Sequence, residues 1–251
     1  ARPSLAIILV GQREDSMLYV NLKEKQAREV GIDTNLYRLD NDITEKKLIE
    51  AIQFLNQDES VHAILVQLPL PGHLDTDKII ATINPAKDAD GFHPETIKKL
   101  LANCDLTNIP PLYNVVLQIL KEINYNPNGK QVAIVANSLI FGNNLSHVLN
   151  CLGMTSQVIL SGEENIQNKT KQADVLITAI GKPGFITKEF IKKGAAIIDI
   201  GITKKDQKIL GDVNFESVKD IASYITPVPG GVGPITIAML FKNILNLYNK
   251  N

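Results

Sequence analysis

The sequence predicts an α/β fold built on parallel sheets and divided into two domains, and three observations predict it. Short β-branched runs alternate with longer helical patterns along the whole chain, which is the signature of βαβ units. Several of the runs are unbroken apolar stretches, as strands covered on both faces should be. The polar stretch Asn103–Asn114 interrupts the pattern, and Pro110-Pro111 within it marks a domain boundary. Pro227–Pro234, dense in Pro and Gly, reads as a second crossing that lets the last helix return to the first domain.

In chain order, strands are expected at Leu5–Val10, Thr34–Leu39, His62–Gln67, Gln131–Ala136, Gln157–Leu160, Val175–Ala179, Ala196–Ile200 and Ala222–Ile225. Helices are expected at Met17–Val30, Thr44–Leu55, Asp77–Ile83, Pro94–Leu101, Val115–Ile123, Asn143–Leu152, Lys188–Lys193 and Ile235–Tyr248. Gly31 and Gly153 stand where helices should end.

Composition excludes several classes. The chain has 251 residues, enough for two ordinary domains, and 44% of them are apolar. A net charge of −1 gives no electrostatic footprint for nucleic acid. No apolar stretch reaches the roughly 20 residues that a spanning helix needs. The apolar start is too short for a signal peptide and closes at Gly11 like a strand. Cys104 and Cys151 read as ordinary buried thiols of a reducing compartment. The four histidines lack ligand spacing, and no metal is expected.

Three segments of the first half carry chemistry. Tyr19 and Lys23 lie four apart, on one face of the expected helix, and Ser16 joins that face. Such a Lys acts as a general base or acid only if burial or a neighbour lowers its pKa; the plainer reading is a solvated helix surface. Gln67 ends an apolar strand and runs into Leu68-Pro69-Leu70-Pro71-Gly72, so it points into the crevice where open α/β sheets bind ligands or else satisfies loop backbone. In Lys87-Asp88-Ala89-Asp90-Gly91-Phe92, two carboxylates ahead of a Gly predict a tight loop with one side chain turned inward. An inward carboxylate suits a ligand with adjacent N–H donors, and Asx-turn chemistry is the alternative.

Taken together, these segments resemble the bifunctional methylenetetrahydrofolate dehydrogenase/cyclohydrolase (FolD) family. The family shows Tyr-x-x-x-Lys, Val-Gln-Leu-Pro-Leu-Pro, Lys-Asp-x-Asp-Gly-Phe and Thr-Pro-Val-Pro-Gly-Gly-Val-Gly-Pro; this chain has Tyr19…Lys23, Val66–Pro71, Lys87–Phe92 and Thr226–Pro234 in the same order. The resemblance implies a cytoplasmic homodimer whose domains face each other across a cleft. Residues 1–111 with 231–251 would form a parallel-sheet folate domain, and 112–230 a Rossmann-like NAD(P) domain. It makes Lys23 the catalytic base or acid, with Tyr19 packing on the substrate, Gln67 bonding Lys23 and helping to keep it neutral, and Asp90 accepting from the pterin. Ser16, Val66, Leu68, Pro229, Gly230, Gly231 and Gly233 would also meet the substrate. The implied reactions are oxidation of 5,10-methylenetetrahydrofolate with NADP to the methenyl compound, then hydrolysis to 10-formyltetrahydrofolate. The family carries a further helix before the first strand, so a chain starting near that strand without an initiating Met is expected to be processed or trimmed.

The second half departs from the family. Its Gly-x-Ser-x-x-x-Gly-x-Pro turn reads here Ala136-Asn137-Ser138-Leu139-Ile140-Phe141-Gly142-Asn143-Asn144, so Ser138 and Gly142 match while Ala136 and Asn144 replace Gly and Pro. After the next strand Ser161 survives, but Glu163 and Glu164 stand where the family has basic residues, and they should repel a 2′-phosphate or favour NAD. In the linker, Pro110–Val115 replaces Pro-Cys-Thr-Pro-x-Gly. Gly181 in Ala179–Phe185 and Ile202 in Asp199–Ile202 match, and by the resemblance they meet the cofactor together with Thr236, Ala136, Asn137, Ser138, Gly142 and Ser161. Three readings follow: a working bifunctional enzyme using NADP or NAD, a cyclohydrolase with impaired dehydrogenase activity, and a non-catalytic folate-binding protein. The motifs at Gln67–Pro71 and Pro229–Pro234 argue against another Rossmann dehydrogenase with a Lys base.

Overall fold

A computed structural model of the chain describes residues 2–206 and 208–250. The outermost residues of the expected first domain, Ala1 and Asn251, therefore lie outside the described residues. The chain forms two compact units, Ala1–Pro111 with Ile237–Asn251, and Leu112–Thr236.

The first unit is a parallel sheet of β1 (Ser4–Val10), β2 (Asp33–Leu39) and β3 (Ala63–Val66), ordered β2-β1-β3. Side chains alternate along β1, which sends successive residues to opposite faces. Leu5, Ile7 and Leu9 pack with Val20 of α1 (Glu14–Glu29) and with Ile237, Leu240, Phe241 and Ile244 of α9 (Val232–Tyr248). Ala6, Ile8 and Val10 pack instead with Leu48, Ile52 and Leu55 of α2 (Glu45–Gln57) and Ile79 of α3 (Thr76–Thr82). Both faces are thus covered, which is why β1 reads as an unbroken apolar run, each such side chain contributing about 1.5–3 kcal/mol. Gly11 ends the strand at φ +78°, where a Cβ would lie 2.8 Å from Asn41 Oδ1. α4 (Pro94–Asn103) completes the unit.

The second unit is a five-stranded parallel sheet of β4 (Gln131–Ala136), β5 (Thr155–Leu160), β6 (Val175–Ala179), β7 (Ala196–Asp199) and β10 (Tyr224–Ile225), ordered β10-β7-β6-β4-β5. Its helices are α5 (Pro111–Glu122), α6 (Leu139–Asn150), α7 (Ile166–Thr170) and α8 (Phe215–Val218). From β4 the chain moves to β5 on one side and then to β6 on the other, so the strand order reverses between β4 and β6, with Ala136 opposite Ala179. In open α/β sheets, ligands bind outside the carboxyl ends of the strands at such a point.

Several expectations need correction. The return to the first unit falls at Ile237 rather than at 231, because Gly231 stays folded on Thr226 and Pro227, whose carbonyl would lie 2.3 Å from a Cβ there. The helix expected at Lys188–Lys193 is a single 3-10 turn, Lys188–Phe190, since Ile191 is already extended and Gly194 turns at φ +82°. An antiparallel hairpin of β8 (Thr203–Lys205) and β9 (Lys208–Leu210), with α7 and α8, went unforeseen; each is too short to show periodicity. Cys104 is exposed and Cys151 half-buried, and neither is a free cysteine. No described helix is long and apolar enough to cross a membrane.

Candidate active site

In the first unit, α1 and the end of β3 place two expected side chains together. Lys23 Nζ donates to Gln67 Oε1 at 3.0 Å. Gln67 Nε2 in turn donates to the Leu68 carbonyl at 2.7 Å, which fixes the amide so that its oxygen faces the lysine. Burial around the ammonium lowers the Lys23 pKa from its ordinary value, and the charge of Asp90 opposes that shift. Burial raises the pKa of Asp90, and Lys23 opposes it in turn. Gln67 makes the hydrogen bond expected of it and brings no charge, so its part here is orientation, and burial is the main cause of the lowering.

Asp90 is aimed by its neighbour. Asp88 is the inward carboxylate of the loop, accepting from Gly91 N at 3.1 Å and His93 N at 2.7 Å. Gly91 is obligatory, with φ +68° and a Cβ that would sit 2.5 Å from the Asn108 carbonyl. Lys87 ties the loop to α2 through the Leu55 and Asp58 carbonyls, at 3.1 and 2.7 Å. Buried Asn243 of α9 donates to the Ala89 and Ile109 carbonyls at 3.1 and 3.0 Å. Asn243 escaped the sequence reading, because one Asn in an apolar helix carries no pattern.

The remaining expected residues of this unit differ in kind. Tyr19, 40% exposed, presents its ring one turn from Lys23. Ser16 is buried. Val66 packs into the core, so its backbone is what a ligand at the strand end can meet. A small recess is lined by Val66, Leu68, Asp90 and Phe92 among others.

In the second unit, the β4–α6 turn is more ordered than its departures suggested. Ser138 caps α6 by accepting from Phe141 N at 3.3 Å. Gly142 lets α6 lie against β5, since a Cβ would be 2.4 Å from Val158 Cγ1. Asn137 bridges the switch point: its amide donates to the Ile180 carbonyl at 2.6 Å and its oxygen accepts from Ser161 Oγ at 2.5 Å. Two of the departures fit each other. Asn144 hydrogen-bonds the hydroxyl of buried Tyr113, whose ring packs 5.5 Å from that of Phe141. The expected repulsion is weakened as well, because Glu163 accepts from Leu160 N at 2.7 Å and pairs with Lys169.

Asp212, also missed, accepts from Thr178 Oγ1, Ile180 N and Lys182 N at 2.9, 2.8 and 2.8 Å, and so fixes the loop after β6. Gly201 makes room for Asp212, since a Cβ there would lie 2.1 Å from Asp212 Cγ. Gly181 turns at φ +65°, and a Cβ there would lie 3.9 Å from Thr203 Oγ1. Ile202 is exposed, and Thr236 back-bonds to the Val232 carbonyl at 2.9 Å. Pro229, Gly230, Gly231 and Gly233, expected to meet the substrate, all belong to the second unit; Gly231 and Gly233 were expected in the folate domain. Open turn glycines beside an Asn, a Ser and a helix N-terminus at a switch point fit the dinucleotide that the resemblance implies. A cavity of about 900 Å³ beside β10, lined by Asp199, Lys204, Phe215 and Thr226 among others, holds none of the expected residues.

Comparison with known proteins gives one consistent result. The chain matches the tetrahydrofolate dehydrogenase/cyclohydrolase catalytic domain over residues 1–90 and the NAD(P)-binding domain of the same family over 110–251. It is 43% identical to a bifunctional protein FolD of Exiguobacterium sibiricum over 97% of this chain and 88% of that one. The corresponding protein of Aquifex aeolicus is 44% identical, over 99% and 85%. Among solved structures, the bifunctional FolD methylenetetrahydrofolate dehydrogenase/cyclohydrolase of Campylobacter jejuni superposes with a TM-score of 0.95 at 39% identity, over 100% of this chain and 89% of that one. The Trypanosoma brucei FolD, complexed with NADP and an inhibitor, gives 0.94 at 34% identity, over 99% and 87%.

Proposed function

The chain belongs to the tetrahydrofolate dehydrogenase/cyclohydrolase family, and on that premise we propose that it carries out both of the family's reactions, with Lys23 as the proton-transfer group. It oxidises 5,10-methylenetetrahydrofolate to 5,10-methenyltetrahydrofolate with NAD(P) and hydrolyses the product to 10-formyltetrahydrofolate. One observation carries the assignment of Lys23: a lysine held at 3.0 Å by a neutral amide, with burial lowering its pKa, has the proton affinity and fixed geometry of a general base.

When bound, NAD(P) supplies the acceptor for the two electrons of the first reaction. The chain's own residues do the rest. Tyr19 offers a ring face for the flat pterin, and Asp90 accepts from its N–H edge. The backbone at Val66 and Leu68 flanks Gln67 where β3 ends, within reach of a ligand there. In hydrolysis, water attacks the cationic amidine carbon while Lys23 takes its proton, and the same group returns a proton to the departing ring nitrogen. Gln67 keeps the lysine nitrogen pointed at that carbon. In the second unit Asn137, Ser138, Ser161 and the backbone around Gly181 would hold the dinucleotide, with Ile202 and Thr236 nearby. Gly230 and Gly233 leave backbone uncovered for close approach. The pairing of Tyr113 with Asn144 favours the bifunctional reading over a cyclohydrolase with a failed nucleotide turn.

We place the enzyme in the cytoplasm as a homodimer on the resemblance, and sedimentation at micromolar concentration checks the second of these. The experiment that tests the function measures methylenetetrahydrofolate oxidation with NADP and with NAD in parallel, alongside hydrolysis of the methenyl compound. Oxidation together with hydrolysis is the expected result; hydrolysis alone would reduce the protein to a cyclohydrolase.

A further inference from the structure

The loop after β5 lacks the basic residue that would answer a 2′-phosphate on the adenosine ribose, yet a cation stands there. Lys182, from the loop after β6, donates from Nζ to the Ser161 carbonyl at 3.3 Å. Its backbone is fixed by the buried Asp212 carboxylate at 2.8 Å, and its ammonium lies 5.3 Å from the centroid of the Phe185 ring. Asn137 joins the same residues from the third side, through Ile180 and Ser161. The loops after β4, β5 and β6 therefore meet around an exposed ammonium.

Position and charge both bear on selectivity. In doubly wound folds the end of the second strand of the nucleotide half is where the adenosine ribose is read, by an acid for a free hydroxyl or by a cation for a phosphate. Here that end is Ser161. Of the two acids beyond it, Glu163 is engaged with Lys169 and the Leu160 N–H and is drawn away from acting as a ribose acceptor. The ammonium offers charged donors to a phosphate, which a ribose diol does not need, while the Ser161 hydroxyl spends its proton on Asn137 and helps by position rather than as a phosphate donor.

We propose that Lys182 is the specificity-determining residue of the dinucleotide site, reading the 2′-phosphate of NADP from the β6 loop in place of a basic residue on the β5 loop. This rests on the dinucleotide reading above. Titration calorimetry of the full chain with NADP, NAD, 2′,5′-ADP and 5′-AMP tests it apart from any turnover. The intact chain should prefer 2′,5′-ADP over 5′-AMP by roughly ten-fold or more. Lys182→Gln should remove most of that preference, with NAD affinity and melting temperature unchanged, while Lys182→Arg keeps it. Lys169→Gln, which releases Glu163, should weaken NADP more than NAD. An undiminished preference in Lys182→Gln, or no preference in the intact chain, overturns the proposal while the dinucleotide reading stands. Failure of the intact chain to bind either dinucleotide overturns both.

Discussion

Each unit buries neighbouring carboxylates, and the two sets serve different ends. In the second unit Asp199 accepts from the backbone N–H groups of Gly201, Asp212 and Val213 at 2.9–3.1 Å, and Asp212 accepts from two more and from the Thr178 hydroxyl. Their lone pairs are spent on the loops that carry Lys182 and Ile202. Of the two in the first unit, Asp88 is used this way. Asp90, two residues on, faces the Lys23 ammonium instead. A carboxylate saturated by backbone donors is scaffold, because a ligand could reach it only by breaking bonds already made. A carboxylate left against a half-buried ammonium keeps acceptor capacity, and the pair can exchange charge with what binds.

Lys23→Met attacks the comparison where the effect is largest. It should remove the proton acceptor and cut cyclohydrolase turnover by about 10²–10⁴-fold, with folate binding and melting temperature kept. Hydrolysis persisting well above the uncatalysed rate would take Lys23 out of the mechanism. The intact enzyme's hydrolysis should rise with pH, since the neutral amine is the base and burial brings its pKa down; a rate falling with pH would point to the ammonium as an acid.

The carboxylates themselves separate next. Asp212→Ala strands two backbone N–H groups and a hydroxyl, each worth about 1–3 kcal/mol when buried and unpaired, so the second unit should lose roughly 3 kcal/mol or more in urea unfolding. Asp90→Asn should leave unfolding nearly unchanged and raise KM for the folate substrate. If Asp90→Asn destabilised the chain as much as Asp212→Ala, the division between scaffold and site would fail.

The same contrast explains how much was legible beforehand. β1, β4 and β6 and the long helices were readable because burial on both faces writes itself as unbroken apolar runs. Lys23, Gln67 and Asp90 were readable as residues, since a ligand-facing side chain has to be a particular one, and their mutual geometry followed only from folding. Lys182 stood in a segment that matched the family without showing what it reaches. Asn243 and Asp212 act by hydrogen-bonding backbone far away in sequence, at separations of 30 to 154 residues, and local pattern carries no trace of that. Asn144 was read as damage because its partner, Tyr113, lies 31 positions away in another departed segment.

Asp88 offers a finer test through pH. Burial lifts its pKa from 3.8 to about 6 in the folded chain. The folded state then binds more protons than the unfolded one between those values, so the stability linked to Asp88 is complete below about pH 4 and is lost as pH rises through 6. The gap bounds the loss at roughly 3 kcal/mol. Asp88→Asn cannot titrate, so the stability difference between the intact chain and this variant should shrink from pH 4 to pH 7; a difference that grows over that range would mean the carboxylate is held charged by its N–H donors.

The smallest effect probes backbone closeness, on which the nucleotide turn depends as the lysine site depends on side chains. A methyl at position 142 would sit 2.4 Å from Val158 Cγ1, and Val158 is branched on an edge strand, so β5 and α6 must part slightly. Gly142→Ala should cost about 1–3 kcal/mol by overpacking. Parting them also withdraws the α6 N-terminus from the switch point, so dinucleotide affinity should fall several-fold while hydrolysis at Lys23 is untouched. Equal losses in both reactions would mean that hydrolysis at Lys23 also depends on the nucleotide turn, and the comparison between a side-chain site and a backbone site would have to be given up.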